Sequence, residues 1–296
     1  MTIPPQNFAP TPAGQRPRVI VLGTGDKPLV AAQSERLRKP LAEYADIVLW
    51  DMGFTSNLST VEADLAIVLG GDGSILRAAH QMGYRQIPVV GVNLGKLGFL
   101  AGSSPDDFRL RLPDICNGQY RVIEHLMLEC TLQRDGVDIW KELGLNEVAV
   151  LAGPPFAMLQ AHLYVDAELV TTYSCDGLIV STPVGSTAHS LSAGGPILRK
   201  DLQAFVVSPI SPHTLTNRPV VDAADRVYEI LIPSPDSVAS VVIDGRVLGP
   251  LRPHERLRVC RAAATFKMVE CAGQSYYRTL REKLGWGGSL NLNDGR

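Results

Sequence analysis

The sequence predicts an α/β domain followed by a mainly antiparallel β domain, and three observations support that prediction. Up to about Asp107, short aliphatic runs alternate with stretches whose apolar residues recur at steps of three and four, as in a sheet layered with helices. From about Tyr120 the apolar residues recur at every second position, which is typical of strands with one buried face. Near the C-terminus the helical period returns once.

The first part of the chain contains four runs that are almost wholly aliphatic. Such runs are expected for strands buried on both faces of a parallel sheet. They are Arg18–Leu22, Ile47–Trp50, Leu65–Leu69 and Pro88–Val92. Two helices, over Leu29–Ala45 and Ile75–Tyr84, are predicted between them. This part is therefore expected to form an open, Rossmann-like parallel sheet with helices on both sides.

In the second part, the alternation of aliphatic and polar residues is clearest from residue 159 to residue 166. Glycine and proline divide the rest into short segments, which fit a largely antiparallel β domain. The predicted strands are Arg121–Gln133, Asn146–Leu151, Gly177–Thr182, Arg226–Ile232, Val238–Ile243 and Arg256–Arg261. A last helix over Ser275–Leu284 is expected to return to the first domain. The predicted boundaries are a disordered Pro-rich lead over 1–17, an α/β domain over 18–119 joined by 272–296, and a β-rich domain over 120–271.

Composition excludes several classes of protein. The chain has 296 residues, of which 45% are hydrophobic, and a net charge of -2, so it lacks the basic field that nucleic acid or a membrane surface would require. A small anionic ligand would have to be held by local groups. The first 18 residues contain five prolines and no signal-like apolar run, so a cytoplasmic location is expected. Five scattered cysteines predict neither a disulfide framework nor a zinc site.

The segment Gly70–Ser74 lies between a predicted strand and a predicted helix. Glycines allow a tight turn and a close approach to a ligand, and the free N–H groups of a helix start attract phosphate. A carboxylate in such a turn would repel phosphate, so Asp72 is interpreted as a general base for a hydroxyl or as a magnesium ligand. An ordinary turn with Asp72 or Ser74 as helix cap is the alternative. Neither a P-loop nor a Gly-x-Gly-x-x-Gly fingerprint is present.

The segment from Tyr173 to Pro196 is the second motif rich in chemistry. A strand ends at Pro183, and a turn rich in glycine and hydroxyl groups leads into a short helix. Its hydroxyls could bind a polyhydroxylated ligand that carries an amide, or they could simply cap the helix. The residues concerned are Ser186, Thr187, Ser190 and Ser192. On their own, Asn146-Glu147, Asp176-Gly177 and Asp244-Gly245 are equally consistent with ordinary turns.

Taken in order, these motifs resemble those of the NAD kinases. Gly70–Ser74 is similar to their Gly-Gly-Asp-Gly-Thr motif, Asn146-Glu147 to their Asn-Glu pair, and Asp176–Pro196 to their long glycine-threonine block. The similarity covers most of the chain from about Ala63. It continues through Gly91–Leu100, Ser208–His213, Arg218–Val221, Asp244-Gly245 and Leu280–Trp286.

The resemblance implies transfer of the terminal phosphate of ATP, or of another donor such as polyphosphate, to the 2′-hydroxyl of the adenosine ribose of NAD. By similarity Asp72 takes the proton from that hydroxyl, and Mg²⁺ bridges the donor without fixed protein ligands. Donor phosphates are expected along Gly71, Gly73 and Ser74. The residues expected to bind NAD are Asn146, Glu147, Asp176, Thr187, Ala188, His189, Ser192, Phe99 and Asp244.

The resemblance gives most of these NAD-binding residues an expected place. Asn146 is assigned to the adenine or its ribose, Glu147 to ribose hydroxyls and Asp176 to the nicotinamide end. Thr187, Ala188 and Ser192 line the adenosine pocket, and Phe99 offers an apolar wall to a base.

Two positions depart from the family pattern, and two other functions stay open. Ser74 replaces the usual threonine and keeps the hydroxyl, while His189 replaces a tyrosine and brings a ring that can titrate near neutral pH. The family likeness also implies a homodimer or homotetramer. The alternative functions are a related lipid or sugar-phosphate kinase with the same glycine turn, and a nucleotide-binding sensor that lacks turnover.

Overall fold

The chain folds into two units in the computed structural model, which describes residues 15–95, 98–153, 158–214, 216–233, 239–271 and 276–285. The first unit combines the described residues up to Met82 with Ile87–Ile123 and with those from Lys267 onward. The second unit contains Gly83–Gln86 and Glu124–Phe266. Most of the predicted Pro-rich lead, together with Val238, Ser275 and Trp286, lies outside the described residues.

A parallel sheet with helices forms the first unit, as predicted. Its strands stand in the order β2-β1-β3-β4, and Met268 pairs in parallel with Val89 at the free side of β4. The strands are β1 (Arg18–Gly23), β2 (Asp46–Asp51), β3 (Leu65–Leu69) and β4 (Val89–Val92). The helices are α1 (Pro28–Tyr44), α2 (Asp72–Met82), α3 (Pro105–Cys116) and, near the C-terminus, α5 (Tyr276–Leu284). The short helix α4 (His189–Ser192) belongs to the second unit.

One expectation for the first unit was wrong, and one helix was missed. β2 is only partly buried, because it is the edge strand of the sheet and has a neighbour on one side alone. The helix α3 was not predicted, although Ser104 caps it by accepting a hydrogen bond from the Asp107 N–H and Pro105 occupies its first turn. Pro113 inside this helix weakens the helical pattern in the sequence.

Two sheets form the second unit, and both are mainly antiparallel, as predicted. The first contains β5 (Arg121–Arg134), β6 (Val137–Gly144), β8 (Leu159–Val165), β9 (Glu168–Cys175), β13 (Tyr228–Leu231) and β16 (Glu255–Glu270). The second contains β7 (Glu147–Ala152), β10 (Gly177–Ser181), β11 (Ala204–Ile210), β12 (Val220–Ala223), β14 (Ala239–Ile243) and β15 (Arg246–Leu251). Its strand order is β12-β11-β10-β7-β14-β15.

Side chains from the two sheets of the second unit form one buried cluster. The alternation read from the sequence is real, since Leu159, Ala161 and Leu163 are all buried in it. β10 is buried along its whole length because it lies between β7 and β11. Among the described residues, no helix has both the length and the hydropathy required to cross a membrane.

Candidate active site

The turn Gly70–Ser74 connects β3 to α2 in the first unit, as the sequence predicted. Gly70 has a φ of 144°, which favours glycine, and a Cβ at this position would collide with the Ser74 side chain. At Gly71 and Gly73 an added Cβ would meet no described atom within 4 Å. The fold thus requires glycine at position 70, whereas positions 71 and 73 leave open backbone that a ligand could approach.

Asp72 is the first residue of α2, and its carboxylate accepts three backbone N–H groups. Oδ2 accepts from Phe99 at 2.7 Å, while Oδ1 accepts from Leu100 at 2.9 Å and from Ala101 at 3.0 Å. A carboxylate oxygen has two lone pairs, so Oδ1 is fully used and Oδ2 keeps one position for a further donor. Asp72 is therefore both the anchor of the loop 98–101 and a group with one open acceptor site.

Gly98 and Phe99 complete this part of the site. A Cβ on Gly98 would collide with Asp72 Oδ1, so the loop approaches the carboxylate this closely only because residue 98 is glycine. The Nζ of Lys283 lies 5.4 Å from the centre of the Phe99 ring. This contact places α5 in the first unit and gives the ring a cation on one face.

Asp244 plays the same anchoring part in the second unit. It forms a two-residue hairpin turn with Gly245 between β14 and β15, both at positive φ, which fits the turn interpretation of this dipeptide. Its carboxylate accepts the N–H groups of Leu145 at 2.7 Å, Asn146 at 2.8 Å and Glu147 at 3.0 Å. Asp244 therefore fixes the backbone of the predicted Asn-Glu pair.

Glu147 is a buried acid whose pKa is raised by its surroundings. Its side chain is buried, and Oε2 has no hydrogen-bond partner in the described part of the chain. Burial, and secondarily the charge of Asp244, raise the pKa of Glu147 to about 8. Burial also raises the pKa of Asp244. Near neutral pH, Glu147 is therefore largely a protonated acid that can donate a hydrogen bond.

The segment after β10 packs directly against the Asn-Glu pair. Thr182 Oγ1 donates to the Leu145 carbonyl at 2.6 Å, and the Thr182 N–H donates to the Asn146 carbonyl at 2.8 Å. A Cβ at Gly185 would collide with that same Asn146 carbonyl. The structure thus brings together Asn146, Glu147, Asp244 and the turn at 182–187, which lie far apart in the sequence.

The hydroxyl groups that were considered for ligand binding are of two kinds, buried and accessible. Ser186 is fully buried, donates to the Pro183 carbonyl at 2.6 Å and accepts the Leu198 N–H at 2.9 Å. Ser190 is also buried and contacts the Ser208 hydroxyl at 3.1 Å. These two serines hold the segment together, in line with the structural alternative, and are not available to a ligand.

The remaining members of this segment are accessible. His189 and Ser192 are exposed, while Thr187 and Ala188 are half-buried. The Thr187 hydroxyl donates to the Val184 carbonyl at 3.1 Å, which leaves its lone pairs as acceptors. These four residues present polar groups and small apolar surface beside the Asn-Glu pair.

Asp176 is not brought next to Glu147. In the β10–β7 ladder Gly177 pairs with Leu151, while Ser181 pairs with Glu147, so Asp176 lies at the opposite end of the strand. Five residue steps from Asp176 to Ser181, the partner of Glu147, separate the two positions by roughly 17 Å. The exposed Asp176 carboxylate faces His213, with Oδ1 3.6 Å from Nε2. A single ligand would need to be extended to reach both ends.

Sequence analysis missed a third carboxylate anchor, Asp51 at the end of β2. It is buried and accepts the N–H groups of Gly53 at 2.9 Å, Thr55 at 2.8 Å and Ser56 at 2.7 Å. Burial alone would raise its pKa, but these bonds and one from Gln81 lower the pKa to about 2. Asp-x-Gly after a predicted strand was the available signal for such a turn.

The described residues do not form a metal site of their own. No group of three His, Cys, Asp or Glu side chains could hold an ion in the described part of the chain. One open lone pair on Asp72 is too little to fix a divalent cation, which requires several oxygen ligands. The first unit thus offers Asp72 as an acceptor for a proton and open backbone for an anion, and the second unit offers Glu147 as a buried acid that donates hydrogen bonds.

Two family models match the chain. The ATP-NAD kinase N-terminal domain matches residues 30–120 and the ATP-NAD kinase C-terminal domain matches residues 145–271. An NAD kinase of Rhodopirellula baltica is 55% identical over 279 residues, which cover 94% of this chain and 90% of that protein. An NAD kinase of Nitrosomonas europaea is 40% identical, with 78% of both chains covered.

Solved structures with this fold include two nucleotide complexes. An NAD kinase from Archaeoglobus fulgidus in complex with ATP has a TM-score of 0.74 and 27% identity, covering 90% of this chain and 98% of its own. A yeast NADH kinase complexed with NADH has a TM-score of 0.85, covers 95% and 90% of the two chains, and is 21% identical, so it supports the fold alone.

Proposed function

Because the chain belongs to the NAD kinase family, we propose that Asp72 is the general base of a phosphoryl transfer from ATP to NAD. The chain acts as an NAD kinase: it phosphorylates the 2′-hydroxyl of the adenosine ribose and so makes NADP. The alternatives of a lipid kinase, a sugar-phosphate kinase and a silent sensor have no support in these relatives. What remains to be proposed is the part that each residue plays.

The open lone pair on Asp72 Oδ2 is the observation that supports the proposed base. Three amide N–H groups fix the carboxylate, so it is oriented before substrate arrives. The ribose hydroxyl donates to Oδ2 and transfers its proton there as the oxygen attacks the terminal phosphorus. The bond to the leaving ADP breaks in the same event, and the charge that develops on the phosphoryl oxygens requires nearby donors.

The donor lies along the glycine turn in this proposal. Open space above Gly71 and Gly73 allows phosphate oxygens to reach the backbone at the start of α2, where N–H groups favour an anion. Ser74 is buried beside Gly70, so its hydroxyl is less accessible to phosphate than the backbone of Gly71 and Gly73. In this proposal magnesium enters as part of the substrate, as Mg·ATP.

The NAD side of the proposal uses the cluster around the Asn-Glu pair. Protonated Glu147 donates to a ribose hydroxyl, which satisfies its unpaired Oε2 position. Asn146 binds the adenine or its ribose, and Asp244 is a positioning residue that acts through the backbone of both. Thr187, Ala188, His189 and Ser192 border the adenosine, Phe99 offers its ring to a base, and Asp176 is reserved for the nicotinamide end of an extended molecule.

A homodimer or homotetramer, a cytoplasmic location and use of polyphosphate as donor stay predictions. The first is tested by light scattering at several protein concentrations. The last is tested by replacing ATP with inorganic polyphosphate in the same assay.

The decisive experiment compares Asp72→Asn with the wild type. Protein is incubated with ATP, Mg²⁺ and NAD, and the product is read with an NADP-specific dehydrogenase. We expect turnover at saturating substrates to fall at least ~100-fold, the usual effect of losing a general base, while NAD affinity changes little. Asparagine keeps one acceptor oxygen for the Leu100 and Ala101 N–H groups, but its NH2 group cannot accept the bond from the Phe99 N–H. The variant therefore loses the open acceptor position and one loop bond, and a thermal melt must show that it is folded.

Asp64→Asn is the matched control. Asp64 accepts the Arg18 N–H at 2.7 Å in the same unit, but it precedes β3 and so lies at the amino end of the sheet. Its variant should turn over normally. Turnover of Asp72→Asn within ~3-fold of wild type would exclude Asp72 as the base. A rise in the Kd for both substrates with unchanged turnover would instead assign it to loop anchoring alone.

A further inference from the structure

Two loops beside the glycine turn are joined by a residue that the proposed function does not yet use. They follow β1 and β2, at the carboxyl edge where open α/β sheets bind ligands. Arg77 of α2 donates from Nη2 to the Gly53 carbonyl at 3.2 Å, and its Nη1 lies 3.5 Å from Thr24 Oγ1. Long side chains on a helix point toward its N-terminus, so the guanidinium is directed toward the end of α2 that carries Asp72.

Phe54 gives this guanidinium a platform. The Cζ of Arg77 lies 4.5 Å from the centre of the Phe54 ring, within the range of a cation–π contact. Phe54 has a φ of 56°, an unfavourable conformation for a bulky residue. Asp51 maintains it, because its buried carboxylate accepts the N–H groups on both sides of Phe54. Backbone strain held in this way is concentrated at functional sites.

The charge of Arg77 has no carboxylate to neutralise it among the described residues. A second stacked arginine in the same unit shows the contrast. Arg38 lies 5.0 Å from the centre of the Trp50 ring, but its Nη1 is 3.7 Å from the Glu35 carboxylate. With a net charge of -2, the chain must supply positive charge locally to any bound polyanion.

We propose that Arg77 binds the terminal phosphates of the phosphoryl donor and that Phe54 is the positioning residue that orients its guanidinium. A stacked guanidinium keeps its edge accessible, and the N–H groups of Arg77 that are not used on Gly53 and Thr24 can bond phosphate oxygens. This inference rests on the proposed function only in placing the donor at the turn that begins α2. It does not depend on Asp72 acting as a base.

Equilibrium binding tests the proposal separately from turnover. Isothermal titration calorimetry measures the Kd of three ligands, Mg·ATP, inorganic tripolyphosphate and NAD. The proteins compared are wild type, Arg77→Met and Arg77→Lys. We expect Arg77→Met to weaken ATP and tripolyphosphate by the same factor of ~10 or more, with NAD affinity unchanged. Arg77→Lys keeps the positive charge but not the planar stacking, so it should lose less affinity for the two phosphate ligands than Arg77→Met. Phe54→Leu removes only the platform and should also weaken both phosphate ligands.

Arg38→Met is the control, since it removes a stacked arginine of the same unit whose charge is already paired. Its affinity for all three ligands should equal that of wild type. Unchanged ATP binding in a folded Arg77→Met would overturn the proposal. So would a loss for ATP that spares tripolyphosphate, because the contact would then be to the adenine or ribose. If Arg77→Met does not fold, Arg77→Lys and Phe54→Leu decide by the same comparison.

Discussion

Replacing Glu147 by glutamine should change how the stability of the protein depends on pH. In the folded state its pKa is about 8, against an ordinary value of 4.5. Below about pH 4.5 both folded and unfolded chains carry the proton, so the group has no pH effect. Between those two values the unfolded chain releases a proton that the folded chain keeps, so the folded state loses stability as pH rises.

The size of the effect follows from one proton. Each pH unit inside that window costs the folded state about 1.4 kcal/mol. Between about pH 6 and about pH 7.5 the wild type should therefore lose about 2 kcal/mol of unfolding free energy through Glu147 alone. Glutamine carries no titrating proton, has nearly the same shape and can still donate a hydrogen bond, so Glu147→Gln should lack this loss.

Urea unfolding at the two pH values, followed by circular dichroism, measures the difference between the variants. Titrating groups other than Asp244, whose charge interacts with Glu147, contribute equally to both proteins and cancel in the comparison. Glu168→Gln, at an exposed position on β9, is the control and should keep the wild-type pH dependence. Parallel curves for wild type and Glu147→Gln would show that Glu147 is already ionised in the folded state, and the reasoning from its burial would be wrong.

Three further changes are predicted from contacts described by the structure. Gly98→Ala forces a Cβ against the Asp72 carboxylate, so its melting temperature and turnover should both fall, whereas Gly95→Ala, which has open space, should melt like wild type. Glu255→Ala removes a carboxylate that is 2% exposed and accepts two bonds from half-exposed Arg134, and urea unfolding should show a loss of about 2 kcal/mol. The pKa of Asp51 is lowered from 3.8 to about 2, so the stability that its carboxylate contributes is lost as pH falls. Between about pH 5 and about pH 3 the wild type should lose about 1 kcal/mol more unfolding free energy than Asp51→Asn. Thermal melts measure the loss, and equal losses in the two proteins would contradict the prediction.

Much of the fold could be predicted because buried segments have a recognisable hydrophobic pattern in the sequence. β3 was predicted with the bounds that it has, since a strand covered on both faces is uniformly aliphatic. The edge strand β2 shows the limit of this reasoning. Its sequence is nearly as apolar as that of β3, yet its exposure depends on strand order, which the local pattern does not contain.

The candidate site was predictable only where its chemistry is local. The glycine turn with Asp72 could be recognised because five adjacent residues carry it. The ties between Asp244 and Leu145, or between Asp72 and Leu100, join positions remote in sequence and arise only from the fold. Ser186 and Ser190 looked like ligand-binding hydroxyls for the same reason: their protein partners, such as Leu198 and Ser208, are contributed by other segments.

Among the described residues, Asp51, Asp72 and Asp244 each have a carboxylate that accepts backbone N–H groups of a neighbouring segment and so holds it in place. Each of these N–H groups is hydrogen-bonded, although most of them belong to loop residues outside any sheet ladder. Hydrogen–deuterium exchange should therefore be slow in these three segments. Replacing one aspartate should remove the protection of the segment that it holds. Rigidity in this chain is thus partly encoded by isolated acids, so a map of its helices and strands underestimates how much of it is immobile.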